Sequence, residues 1–355
     1  MLAIFSFLIV ITTLVFIHEL GHYLAARSVG VRVEKFYIGF NLFGLGIKKT
    51  INNTEYGIGL FPLGGYVKVA GIIDESMDAH HQYKDDEFQS KNTIQKIWIM
   101  SAGVIMNFIL AIFIFAHLTY YYGINEPDPR AIVGSICEGC PSEIIGLQEN
   151  DLIISINSNI INDWSDLTKN IHNKPNQIIY IEWIRDGITF SDSLKTISSP
   201  QLIDDEIIDV GMIGISPIIH NKKSTIFQAF YYGSNQTISL LKFTWNSLLG
   251  LLKGNISIKE MAGPIMIAKI AGETASSGAY ALLSLMAMLS INLGLINILP
   301  VPGLDGGHVM IALIEGILNR DLSLKTKLNI QKIGIILLMT LMLTIMINDV
   351  LRLIN

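Results

Sequence analysis

The sequence predicts a polytopic α-helical membrane protein with four transmembrane helices, a membrane-associated β-hairpin and an inserted extracytoplasmic α/β domain. Three observations carry this expectation. Half of the 355 residues are hydrophobic and only 15% are charged, with a mean hydropathy of +0.47, too apolar for an ordinary soluble domain. Four apolar stretches reach the roughly 20 residues that cross a bilayer. Between the second and third lies a polar stretch with strand and turn signals.

The first apolar stretch runs from Met1 to about Ala26 and has neither a basic leader nor a small-residue cleavage site, so it is expected to stay as a helix. The second begins at Ile97 and ends in Tyr120, Tyr121 and Tyr122, aromatic residues suited to the interface. The third starts near Tyr280 and is interrupted by Pro300, Pro302, Gly303, Gly306 and Gly307; the fourth starts at Ile333. Basic residues orient the chain. Arg27, Arg32, Lys35, Lys48, Lys49 and Lys96 follow the first helix, and Arg320, Lys325, Lys327 and Lys332 precede the last. With four crossings both groups fall on one side, the cytoplasmic one, which leaves both termini and about 123–278 outside.

Four parts follow: 1–122 with the first helix, the hairpin and the second helix; 123–218, the inserted domain; 219–278, an amphipathic linker lying on the membrane surface; and 279–355. In the insert, AIVGSI, DLIISINSNII, IIYIEWI and ITFSDSLKTI read as strands, with Asp186-Gly187 as a hairpin turn. PSEIIGL and DWSDLTKNI read as short helices, the second capped by Asp163. Residues 54–71, TEYGIGLFPLGGYVKVAG, alternate in polarity with Pro62, Gly64 and Gly65, which predicts a hairpin dipping into the membrane with these three at its tip. An exposed strand edge there would pair with an unwound substrate segment. A net charge of −5 argues against a nucleic-acid partner. Cys137 and Cys140 are compatible with a local disulfide or two thiols, and too few for a closed zinc site. His80 and His81 sit in an acidic, solvated stretch.

The chemistry is concentrated in HELGH, residues 18–22. His18 and His22, four apart on a helix, lie on one face and can reach one ion. Glu19 beside them can take a proton from water. Zinc needs a third protein ligand and an open position. Ionisable groups at bilayer depth cost about 2.5–3.5 kcal/mol each on insertion scales, so their presence implies a use. The third ligand is not local. Glu34 lies in a polar loop, and His117, Asp305, His308 and Glu315 lie in apolar segments. Asp305 is favoured because prolines and glycines break the helix around it, and broken helices at membrane depth line polar cavities; His308 is next.

HELGH, SAGVIMNFILA on the second helix and NLGLINILPVPGLDGGH on the third resemble the site-2 protease family of intramembrane zinc proteases, over nearly the whole chain. GLQENDLIISINSNIINDWSDL and GMIGISP resemble a circularly permuted bacterial PDZ domain and its peptide-binding loop, which places the resemblance in the regulator of sigma-E branch. That branch includes members with two tandem PDZ domains, whereas one copy is visible here. The resemblance implies Zn2+ held by His18, His22 and Asp305, with Glu19 as the catalytic acid/base. It implies Asn297 and Asn292 as substrate-binding residues, and a membrane-reentrant β-loop, hence substrate contact, at Gly64 and Gly65. It further implies a bacterial inner-membrane location and, as partners, the lipid bilayer and transmembrane protein substrates already trimmed by another protease, such as an anti-sigma factor or signal-peptide remnants. The competing readings are a catalytically silent PDZ-bearing membrane scaffold, which would need neither HELGH nor LDG, and a metal transporter, which one broken helix and a large insert suit poorly.

Overall fold

The computed structural model describes residues 2–41, 46–72, 84–203, 206–257 and 261–354, so His80 and His81 lie outside the described residues. The chain forms two compact units, Met1–Thr119 with Ile226–Asn355, and Tyr120–Thr225.

In the first unit four helices are long and apolar enough to cross a membrane. These are α1 (Leu2–Ser28), α2 (Thr93–Tyr122), α7 (Ala279–Asn297) and α9 (Leu324–Ile354). α1, α2 and α7 share a core that includes Val10, Leu14, Ala111, Phe115, Ala287 and Ile291. One polar tie crosses it, from Ser290 Oγ to the Asn107 carbonyl at 2.7 Å. The third apolar stretch ends as a helix at Asn297, and a short helix α8 (Asp305–Leu318) follows the loop that carries the prolines.

The helix α9 is held differently. Its middle exposes Ile336, Leu337, Met339, Met342, Leu343 and Ile347, while polar groups anchor its ends. At one end Lys327 Nζ lies 2.6 Å from Glu315 Oε1 of α8, and Lys96 of α2 shares that carboxylate at 3.6 Å. At the other, Asp349 accepts from the N–H groups of Gly263, Ile265 and Met266 at 3.0–3.1 Å, capping helix α6 (Pro264–Ser277).

The predicted hairpin is not present. Strands β3 (Thr54–Gly59) and β4 (Phe61–Val69) do not pair with each other; β1 (Val33–Phe40) lies between them, and with β2 (Gly46–Ile51) they form a sheet ordered β2-β3-β1-β4. β1 pairs parallel with β3 and antiparallel with β4. The chain steps over the end of β1 between Gly59 and Phe61. A side chain at Gly39 would meet the Phe61 carbonyl at 2.7 Å, and one at Gly59 would strike the Phe40 carbonyl. The glycines therefore permit a crossing that alternation of polarity cannot reveal. Pro62, Gly64 and Gly65 accordingly lie within β4, not at a tip. Gly64, with φ at +106°, turns its backbone against Val15 of α1, and both glycines are buried.

Helix α5 (Ile226–Leu252), in the stretch expected to be an amphipathic surface linker, packs lengthwise on the bundle. Gly233 sits where a Cβ would be 2.7 Å from the Ala116 nitrogen, Phe230 meets Phe113 edge-on at 5.3 Å, and Thr244 Oγ1 donates to Asn292 Oδ1 at 3.1 Å.

The second unit follows its sequence signals closely. Strands β7 (Leu152–Ile156), β8 (Asn159–Ile160), β9 (Ile178–Arg185) and β10 (Ile188–Lys195) form a sheet ordered β10-β9-β7-β8. Asp186 and Gly187, both at positive φ, make the β9–β10 turn. Asp163 caps helix α4 (Trp164–His172) by accepting from the Asp166 N–H at 2.7 Å. Ile153, Ile156, Leu167, Ile179, Ile181 and Ile213 build the core. Outside the sheet, β5 (Ile124–Pro127) pairs with β14 (Ile219–Lys222), β6 (Val133–Ile136) with β13 (Ile215–Pro217), and β11 (Ile197–Ile203) with β12 (Glu206–Met212). Helix α3 (Pro141–Ile144) follows the cysteines, and Cys137 and Cys140 form a disulfide. Arg185 clamps the fully buried Asp151 carboxylate through Nε at 2.8 Å and Nη2 at 2.7 Å, and that pairing raises the Arg185 pKa.

Candidate metal centre

His18 and His22 face α2 because Gly21 and Gly103 let the two helices touch. A Cβ at Gly21 would strike the Ala102 carbonyl, and one at Gly103 would lie 2.5 Å from His22 Nε2. Asp305 comes from the far side, as the first residue of α8. The loop before it folds back over the first turn of that helix, so a side chain at Gly306 or Gly307 would collide with the carbonyls of Ile298, Leu299 and Val301. The two glycines after the aspartate are the steric condition for presenting it.

Three donor atoms converge here. His18 Nε2 is 3.2 Å from His22 Nε2, and Asp305 Oδ2 is 3.1 Å and 3.3 Å from the two nitrogens. Tetrahedral zinc with ligands at about 2.0–2.1 Å has ligand–ligand edges of about 3.3 Å, which matches all three. The protonation pattern agrees. His22 Nδ1 lies 2.8 Å from the Ile99 carbonyl, which can only accept, so Nδ1 carries the hydrogen and Nε2 offers a lone pair. Asp305 Oδ2 is buried without a hydrogen-bond partner. Two lone-pair donors held 3.3 Å apart in an apolar bundle repel unless a cation lies between them. The residues fit zinc.

Around this set stand groups the sequence did not single out. Asn107, fully buried on α2, holds its amide 3.1 Å from His18 Nδ1, and its Oδ1 has no hydrogen-bond partner. An amide can meet either histidine tautomer: Nδ2 donates to a bare Nδ1, and with the amide turned over Oδ1 accepts from Nδ1–H. When Nε2 binds a metal, Nδ1 keeps the proton and the oxygen must face it. Asn107→Leu is therefore expected to weaken zinc binding by about 10–100-fold while Asn107→Asp retains it, measured by competition with a zinc chelator. The backbone of β4 supplies the other group: the Val67 N–H donates to Glu19 Oε2 at 3.0 Å and orients a carboxylate that is not one of the three converging donors. A signal for Asn107 was present, since it lies four residues after Gly103 and so on the same helix face; for Val67 there was none, because a main-chain donor has no residue signature.

The remaining predicted residues fall as follows. Asn297 Nδ2 is 3.4 Å from His18 Nε2, so Asn297 joins the cluster, whereas Asn292 bonds Thr244 on α5. Gly64 and Gly65 lie on β4 beside α1. His308 is bonded to Gln331 at 3.2 Å, Glu315 is paired with Lys96 and Lys327, and Glu34 faces Arg32 and Lys68 in a loosely paired, half-exposed group. Among the described residues, the metal-holding set of three or more is His18, His22 and Asp305.

Residues 6–341 match the model of peptidase family M50. The chain belongs to that family. A zinc metalloprotease candidate of Rickettsia conorii is 35% identical over 99% of this chain and 99% of its own length. The regulator of sigma-W protease RasP of Bacillus subtilis is 28% identical over 99% of this chain and 98% of its own. The M50 chain is thus a membrane zinc metalloprotease of bacterial type. Among solved structures, the PDZ domain of an SdrC-like protein from Listeria monocytogenes is similar over 27% of this chain and 94% of its own, with 18% identity and a TM-score of 0.22.

Proposed function

We propose that this M50 protein is an intramembrane endopeptidase of the site-2 type, which cuts transmembrane segments of other membrane proteins in regulated intramembrane proteolysis. The observation that carries the reading is the set of three lone-pair atoms at tetrahedral spacing, two of them on a helix apolar enough to span a bilayer and the third at the start of α8, with a carboxylate beside them. His18, His22 and Asp305 would hold the ion, and zinc bound there would supply Lewis acidity toward the scissile carbonyl and acidify water. Glu19, oriented by the Val67 N–H, accepts the proton of the attacking water and passes it to the leaving amine. Asn297 steadies the substrate next to His18, and Asn292, one turn and more earlier on α7, is the second substrate-binding residue proposed. An unwound substrate segment lies along β4, the strand that carries Gly64 and Gly65, because the N–H that reaches Glu19 belongs to that strand's outer edge.

Substrates of the anti-sigma kind, shortened beforehand by another protease, are the class proposed, with signal-peptide remnants as a second source. The insert acts as a filter against substrates that keep a bulky extracytoplasmic domain. A variant lacking residues 130–218, matched for expression and zinc content, is then expected to cut untrimmed substrates that the full chain leaves intact. Continued refusal of untrimmed substrates, or failure to cut trimmed ones, would remove the filter from the proposal.

In the orientation proposed, which the bias of basic residues supports, both termini and the insert lie outside the cytoplasm of a bacterial inner membrane. In intact cells Lys325→Cys is expected to resist a membrane-impermeant thiol reagent and Asn159→Cys to react; the native Cys137 and Cys140 are joined and give little background. Labelling at position 325 would reverse the orientation.

A further inference from the structure

The insert contains a cleft of about 240 Å³ between α4, through Trp164, Leu167 and Ile171, and the segment Gly211–Pro217. One edge of β13 pairs with β6, and among the described strands its other edge has no partner. An apolar wall opposite an open strand edge suits one kind of occupant, an extended peptide that adds a strand and places an apolar side chain against α4.

The disulfide does not line the cleft but lies directly behind one lining residue, Gly214. Gly214, at φ +85°, sits so close to it that a Cβ there would lie 2.5 Å from Cys140 Sγ and 3.3 Å from Cys137 Sγ. Main-chain bonds tie the same two segments together. The Cys137 N–H donates to the Gly214 carbonyl at 3.0 Å and the Ser142 N–H to the Ile213 carbonyl at 3.0 Å; Ser142 Oγ donates to the Gly214 carbonyl at 3.2 Å. Cys137 is itself exposed. Bonded sulfurs sit about 2.05 Å apart, whereas two thiols must separate to non-bonded contact. With Gly214 close behind Cys140, a Cys140 thiol that moves off its partner is directed at the cleft segment, whereas the exposed Cys137 can turn towards solvent.

We infer that the Cys137–Cys140 disulfide is a reducible clasp on the peptide cleft, closed to hold Gly211–Pro217 in binding geometry and opened by a dithiol reductant. A thiolate of the reductant attacks the exposed Cys137 Sγ and releases Cys140 as a thiolate, which takes up a proton. The second thiol of the reductant then displaces Cys137, so two electrons and two protons pass to the protein and the reductant leaves as its own disulfide. The occupant rests on the protease reading, in which the insert meets polypeptide substrates; the clasp does not.

The test uses the full chain in detergent, with and without dithiothreitol. Amide hydrogen exchange over residues 211–217 is expected to quicken about tenfold on reduction, while strand residues 178–185 are unchanged. A Cys137→Ser/Cys140→Ser variant is expected to exchange as the reduced protein does and to ignore dithiothreitol. Equal exchange before and after reduction overturns the clasp, as does loss of protection at 178–185, which would mean that reduction unfolds the unit. In parallel, a pool of random decapeptides is offered to both forms, with about tenfold more retained by the oxidised one expected. Retention of none by the oxidised form overturns the occupant and leaves the clasp to be judged by exchange alone.

Discussion

Glu19→Gln is expected to lower hydrolysis of a model transmembrane substrate by at least about 10²–10⁴-fold, the range that a positioned acid–base group supplies, with zinc content unchanged. Glutamine keeps the shape of glutamate and an oxygen to accept the Val67 N–H, which lies 3.0 Å from Glu19 Oε2 in the native protein. It cannot take a proton from water. Because Glu19 stands outside the three converging donors, metal binding and proton transfer separate in this variant. The measurements are zinc per polypeptide by mass spectrometry and cleavage rate in the same preparation. Loss of zinc together with activity would show that Glu19 is a ligand. The same variant, crosslinked in native membranes, retains uncut substrate and so identifies it.

Asp305→Ala is expected to abolish activity and to weaken zinc binding by more than the roughly 10–100-fold cost of losing an outer partner, since it removes one corner of the tetrahedron. His308→Ala serves as the contrast. It lies three residues on along α8 and bonds Gln331 of α9, so its loss is expected to spare zinc and to loosen only the anchoring of α9. Zinc retained in Asp305→Ala and lost in His308→Ala would transfer the third ligand to the histidine. The contrast is useful because both residues are ionisable groups three apart on α8, the first favoured as the third ligand by the sequence and the second next to it in rank.

Much of this protein is legible in the order of its residues. Four apolar runs predict four membrane-length helices, because the roughly 30 Å of hydrocarbon sets a length that composition must meet. In the insert, alternating strands, the Asp186-Gly187 turn and the Asp163 cap are local devices, each fixed within a few residues, and they appear where the pattern puts them. The pairing of His18 with His22 is equally local, since one helical turn brings them together. Four-strand pairing in residues 33–69 was not legible: a strand's partner is chosen by register over distance, and β1 entering between β3 and β4 leaves no trace in the alternation of either.

Sequence ranked Asp305 ahead of His308, Glu315, His117 and Glu34, but that it is Asp305 which converges on the two histidines is a matter of tertiary structure. Sequence narrowed the field to a few ionisable groups through the cost of placing charge in an apolar segment. It could not say which of them would end 3.1 Å from His18, because that depends on a loop folding over Gly306 and Gly307 and on α2 closing upon Gly21 and Gly103. Sequence alone determined that the first membrane-length helix carries two histidines and a glutamate at metal-site spacing. The sequence favoured Asp305 as the distant partner, but only the fold brought its carboxylate to the two histidines and set the Asn107 amide beside His18 and the Val67 N–H on Glu19, because contacts between segments tens to hundreds of residues apart are made by packing, and packing has no local code.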